Sequence, residues 1–169
     1  MKANIITGLL LMLMHWQCKA IKTTVLVKGQ VTQTGVYCGG ARPTQAMLDE
    51  IGRPKPLPFI KLFILNGSSN TGQAIIKTIE TDAHGNFYVQ LQPGSYCFVD
   101  STHIGAYQFP AGDSAADYNL ECIKQLQQQC LYNLTVDKNS DEVLINYNTY
   151  CPWNMPCLQN RKPLPPVRN

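Results

Sequence analysis

Hydrophobic and polar positions alternate along much of this chain, and the alternation breaks only where Gly, Pro, Asn, Asp or Ser cluster. Phe87, Val89 and Leu91 interleave with Tyr88, Gln90 and Gln92, the period-two pattern of a strand with one buried face. Ahead of that run, Asp82-Ala83-His84-Gly85-Asn86 is turn chemistry, because Gly85 can take positive φ and Asp82 can bond its own backbone. Behind it, Pro93-Gly94 fits the central positions of a type II turn. With β-rich runs over 73–81 and 95–99 on either side, the stretch predicts a three-stranded meander.

The rest of the chain reads in the same way. Residues 21–32 form a first strand, and 59–65 (FIKLFIL) is the most hydrophobic one. Residues 130–136 and 142–149 alternate on Tyr132/Leu134/Val136 and Val143/Ile145/Tyr147, with a turn at 137–140. Between the first two strands lies an insertion, 33–58. Thr44 can cap a short helix there, Met47, Leu48 and Ile51 give it an apolar side, and Gly52 ends it. The prolines at 54, 56 and 58 force an extended exit. A loop spans 101–116, and a second helix is predicted over 117–129 with Leu120, Ile123 and Leu126 on one side. About seven strands with two short helices in insertions make an all-β fold with minor α, an antiparallel β-sandwich. From Leu158 onward the chain is polar and proline-rich, which predicts an extended tail.

Composition sharpens this picture at the N-terminus. The chain has 169 residues, 44% hydrophobic and 15% charged, enough for one globular domain over 21–157. Lys2 precedes an uncharged run of ten residues, 5–14, where a membrane span needs roughly 20. The run has the length of a signal-peptide core, so residues 1–20 read as a leader. Two endings compete. Cys18 and Ala20 place small residues at −3 and −1 of a cleavage after Ala20, or Cys18 is lipidated behind a poorly fitting His15-Trp16-Gln17. Either way the chain is expected to be exported: periplasmic, anchored to an outer membrane, or secreted. Membrane contact would come only through a lipid on Cys18. The net charge is +3, and losing Lys2 and Lys19 leaves 12 basic against 11 acidic residues, net +1. That balance carries no footprint for nucleic acid.

Of seven cysteines, setting Cys18 aside leaves Cys38, Cys97, Cys122, Cys130, Cys151 and Cys157. An even number in an exported chain reads as a disulfide framework. Cys97 and Cys130 lie on or beside strands that look adjacent and are the expected pair. The remaining four would join the insertion, the second helix and the C-terminal segment. No cysteine pair has zinc-site spacing, and neither His84 nor His103 has a carboxylate–histidine pattern beside it, so no metal or other cofactor is expected. The chain lacks H-E-x-x-H and G-x-S-x-G, which argues against an enzyme. Lys28, Glu80 and Asn146 lie on strands where an isopeptide cross-link is conceivable, but charged strand residues usually face water. Asp100-Ser101-Thr102 and Asp113-Ser114-Ala115 fit a short bacterial O-glycosylation acceptor, which makes Ser101 and Ser114 candidate modification sites.

Gly29 and Val31 ending a first strand, Pro58 ahead of a hydrophobic strand, then Thr81, Asp82, Gly85, Phe87, Leu91, Pro93, Gly94 and Tyr96 resemble the carboxypeptidase regulatory-like domain. Its T-D-x-x-G-x-F-x-x-x-L-x-P-G-x-Y pattern implies a transthyretin-like, prealbumin-type β-sandwich that serves as an accessory module. The whole chain also resembles small exported proteins of Bacteroidetes type through Tyr37-Cys38-Gly39-Gly40-Ala41, Met47-Leu48 and Pro156-Cys157-Leu158. The matched residues build turns and core rather than a site. The resemblance therefore implies a non-catalytic binding or accessory module of the cell envelope, with an unknown envelope protein or glycan as partner, or else a mainly structural envelope protein. The 33–58 insertion, absent from the usual module, and the 101–116 loop are where specialisation is expected.

Overall fold

The computed structural model describes residues 23–137 and 142–159. The leader with Cys18, most of the turn at 137–140 and the tail beyond 159 lie outside the described residues. The strands are β1 (Val25–Thr34), β2 (Lys55–Pro56), β3 (Lys61–Asn66), β4 (Ile75–Glu80), β5 (Asn86–Leu91), β6 (Gly94–Asp100), β7 (Tyr132–Val136) and β8 (Val143–Asn148). That makes eight among the described residues, one more than the alternation predicts, because the two-residue β2 is too short to show a period. The helices are α1 (Gln45–Ile51) and α2 (Leu120–Gln128).

Two sheets stack face to face. In the first, β5 pairs antiparallel with the front half of β1 (Val27↔Val89), and β2 continues along the same edge (Thr32↔Pro56). On the other edge β8 runs parallel to β1 (Val31↔Ile145), so this sheet is mixed rather than purely antiparallel. The second sheet has the order β4-β3-β6-β7, antiparallel throughout. Val27, Val31 and Phe87 of the first sheet meet Leu62, Ile64 and Phe98 of the second in one buried cluster. The Phe87 and Phe98 rings sit 6.0 Å apart across the interface. Gly29 makes room for this contact, since a Cβ there would strike the Phe87 ring and the Val143 carbonyl.

The expected meander is not formed. β4 belongs to the second sheet, β5 to the first and β6 to the second, so the chain crosses between layers at both turns. The turn chemistry before β5 is present: Asp82 Oδ1 accepts from the His84 and Asn86 N–H groups at 2.8 Å each, and Gly85 takes φ +74°. After β5 the type II turn is absent, for Gly94 has φ 158°, close to extended backbone, and already opens β6. Alternation records that one face of each strand is buried. It does not record which sheet supplies the neighbour.

Other details also moved. Phe59 lies outside β3, exposed at 67% with φ +57°. The turn before β3 is held instead by Thr81, whose Oγ1 accepts from Ile60 N–H at 2.9 Å and donates to Leu57 O at 3.0 Å. The first helix has the expected cap, with Met47 N–H donating to Thr44 Oγ1 at 3.3 Å, but Met47 and Leu48 remain exposed. The second helix starts at Leu120 rather than 117, because Asn119 caps it through Cys122 N–H at 3.0 Å and Ala115–Asp117 is a separate 3₁₀ turn. Lys28, Glu80 and Asn146 are all exposed. Lys28 and Asn146 lie in the first sheet and Glu80 in the second.

Three disulfides join Cys38 to Cys151, Cys97 to Cys130 and Cys122 to Cys157. They indicate an oxidising, exported environment. Among the described residues no helix is long and apolar enough to cross a membrane.

Candidate functional site

β6 and β8 end side by side, and there the two layers are tied by a carboxylate. Asp100, the last residue of β6, is 8% exposed. Its Oδ2 accepts from the Tyr147 hydroxyl of β8 at 2.9 Å, across the sandwich. Its Oδ1 accepts from the Thr102 N–H at 2.8 Å and hydroxyl at 2.6 Å, and from His103 Nδ1 at 2.9 Å. A carboxylate can only accept, so His103 Nδ1 carries a proton in this contact. Burial alone would push the Asp100 carboxyl up. Hydrogen bonds from His103, Thr102 and Tyr147, with the His103 charge, outweigh it and hold the group well below the usual carboxylate range. Tyr147 moves the other way, raised above the usual phenol range by burial, the Asp100 charge and the shared hydrogen bond.

This pair corrects the sequence reading. His103 does have a carboxylate beside it, three residues upstream, and both side chains are about nine-tenths buried (12% and 11% exposed). The D-x-x-H spacing was visible, but a turn was needed to close it. His84 by contrast is exposed in the Asp82 turn.

The Asp100–His103 pair forms part of the wall of a cavity of about 470 Å³. The 101–116 loop supplies Thr102, His103, Tyr107, Gln108 and Pro110. The end of β8 and its continuation supply Asn146, Tyr147, Asn148 and Tyr150, with Leu126, Leu131, Met155 and Pro156 closing the rest. No residue of the 33–58 insertion lines it. Tyr107 is braced by Phe109 at 5.2 Å and Tyr118 at 6.2 Å between ring centroids. Tyr118 is itself buried and bonded to Asp113 Oδ2 at 2.9 Å, and its hydroxyl is pushed up to about 12 by burial and that bond.

Three of the wall segments are stapled, while the 101–116 loop carries no cysteine. Leu131 follows Cys130, Tyr150 precedes Cys151, and Pro156 precedes Cys157, so every disulfide has a half-cystine next to a wall residue. The insertion thus acts on the cavity at one remove, through Cys38–Cys151. Amide side chains fix the neighbouring loop. Asn70 Nδ2 donates to His103 O at 2.9 Å and Gln127 O at 2.8 Å, and Gln127 Nε2 donates to Thr102 O and Gly105 O at 3.1 Å each.

The six mature cysteines predicted to pair are therefore partly the frame of this cavity. Ser101 and Ser114, the candidate glycosylation sites, are exposed. Asp100 before Ser101 is turned inward, and the Ser114 hydroxyl donates to Asp117 Oδ2 at 2.9 Å. Sequence reading missed Asn146, Tyr147, Asn148 and Tyr150 as wall residues. Their signal was the amide–tyrosine run NYNTY at 146–150, where strand alternation explained Tyr147 alone. Among the described residues no group of three His, Cys, Asp or Glu side chains is placed to hold a metal ion. Neither a family model, nor a curated protein, nor a solved structure matches this chain.

Proposed function

We propose that this chain is an exported, non-catalytic binding module of a bacterial cell envelope, and that the cavity beside Asp100 is where it binds. The observation that carries the reading is that each of the three disulfides has a half-cystine next to a wall residue, since a site whose walls are held beforehand loses less ordering entropy on binding. A volume of about 470 Å³ falls within the ordinary size of small-ligand sites. The resemblance of the 81–96 stretch to the carboxypeptidase regulatory-like domain supports an accessory role, and the leader over 1–20 supports export. Intact-mass analysis separates a mature start at Ile21 from a lipidated Cys18. Periplasmic, outer-membrane-anchored and secreted forms all fit.

The test uses the oxidised protein immobilised and exposed to a solubilised envelope fraction. The native protein is expected to retain a component that Asn148→Ala/Tyr150→Ala does not. Identical retention by both proteins overturns the cavity as the site, and no retention by either favours a mainly structural envelope protein.

One observation favours a second reading. An imidazole held by a buried carboxylate at 2.9 Å is the arrangement that orients a general base. A broad hydrolase panel tests it, and turnover lost in His103→Ala would establish it.

A further inference from the structure

Beyond a binding role, the cavity's chemistry selects a ligand class. Among the described residues its lining contains no Lys, Arg or Glu, and the one carboxylate among them, Asp100, has both oxygens occupied from within. Among these residues an anion would find neither Lys nor Arg and a His103 already paired with Asp100, and a cation no available carboxylate. What the walls offer instead is amides and phenols. Asn146 is bonded from within, accepting from the Thr32 and Thr34 hydroxyls and donating to Asn148 Oδ1, and Gln108 Nε2 donates to Ala106 O, which leaves Gln108 Oε1 and Asn148 Nδ2 to a ligand. The Tyr107 hydroxyl, the Tyr150 hydroxyl, Asn148 Nδ2 and His103 Nε2 make no hydrogen bond to another described residue. Beside them stand two aromatic faces. Tyr107 is held in place by Phe109 and Tyr118, and Tyr150 lies half exposed, at 50%.

We infer that the cavity takes an uncharged carbohydrate, a short neutral oligosaccharide. Sugar hydroxyls both donate and accept, so they suit the amide and phenol groups that the protein leaves open. The C–H face of a pyranose is apolar and packs on an aromatic ring, which supplies contact area at little entropic cost. The prediction rests on the binding-module reading and narrows it. A peptide ligand is the competing chemistry, because β8 is an edge strand with one side unpaired beside the cavity. The side chains favour the sugar: a bound peptide strand needs apolar pockets at alternate positions, whereas the β8 wall residues are Asn146, Tyr147 and Asn148.

The experiment is titration of the ¹⁵N-labelled, oxidised protein with three neutral trisaccharides (maltotriose, cellotriose and mannotriose), with sialyllactose and an extended tripeptide as contrasts. At least one neutral trisaccharide is expected to shift amides of Gln108, Asn148 and Tyr150 in a saturable way. Tyr150→Ala and Gln108→Ala, both at exposed positions, are each expected to weaken it about tenfold while leaving the remaining spectrum in place. Saturable shifts of the same amides by the tripeptide or sialyllactose alone overturn the carbohydrate inference and leave the cavity as the binding site. Shifts confined to the open face of the first sheet, around Leu26, Tyr88 and Leu144, overturn both. Silence from all three trisaccharides overturns the carbohydrate inference.

Discussion

Asp100 links three parts of the protein at one carboxylate: the end of β6, the loop that follows and, through Tyr147, the opposite sheet. Asn at this position keeps the shape but gives up the charge, and its amide nitrogen faces groups that donate. Asp100→Asn is expected to cost about 1.5–3 kcal/mol, the range for hydrogen bonds to charged groups, read as a lower urea midpoint at pH 7. The pH dependence follows from the direction of the shift. The folded carboxyl lies below its ordinary value of 3.8, so its stabilisation is complete above that value and drains away as pH falls further, through the folded value. Stability measured from pH 5 to pH 2 should therefore fall less steeply in Asp100→Asn than in the native protein. Equal slopes would show that other carboxylates carry the acid sensitivity. At this scale the sequence announced the turn at 82–86 and the cap at Thr44, though not the path at Pro93-Gly94. Asp82, Gly85, Thr44 and Gly52 all have the local tasks their types imply, because those tasks need only a few neighbouring residues. His103 was misread because its partner lies inside a turn whose shape depends on Tyr147, forty-odd positions away.

Strands were legible one by one and illegible as pairs. A buried face shows as alternation in a single strand, while partner choice depends on which layer each turn enters, and a tight turn between layers has much the same composition as a hairpin. β4, β5 and β6 show this, reading as a meander and folding as two crossings. The device that sets the first crossing is Thr81, 2% exposed, whose hydroxyl joins the end of β4 to the backbone just before β3. Thr81→Val keeps the volume and leaves Ile60 N–H and Leu57 O without that partner. The expected loss is about 1–3 kcal/mol, the cost of leaving buried polar groups unsatisfied, visible as a lower melting temperature with an unchanged circular dichroism spectrum. A variant as stable as the native protein would mean that water reaches both groups.

On the scale of the whole molecule, the even cysteine count and the leader pointed to an oxidised, exported chain, whereas the cavity could not be read in advance. Its walls come from residues 100–110, 126–131 and 146–156, segments that meet only after both sheets have formed. The bridges have an order as well as a place. Along the chain the six bridged cysteines run Cys38, Cys97, Cys122, Cys130, Cys151, Cys157, and no native bridge joins two that are consecutive among them. Cys38 finds its partner 113 residues later, and the Cys97–Cys130 and Cys122–Cys157 loops overlap. Thiols oxidised in the order in which they cross a membrane would pair Cys38 with Cys97, Cys122 with Cys130 and Cys151 with Cys157, all three wrong. Maturation must then depend on a thiol-exchange catalyst that reshuffles bridges, or on a delay in oxidation until the sheets have docked. Refolding the reduced chain distinguishes a shuffling requirement from none. A glutathione redox buffer is expected to give one chromatographic species, and a fast oxidant such as diamide several. One native peak under both conditions would show that the sheets assemble before the thiols react. Where shuffling is required, the yield in a cell exporting this protein would be set by its supply of isomerase rather than of oxidant.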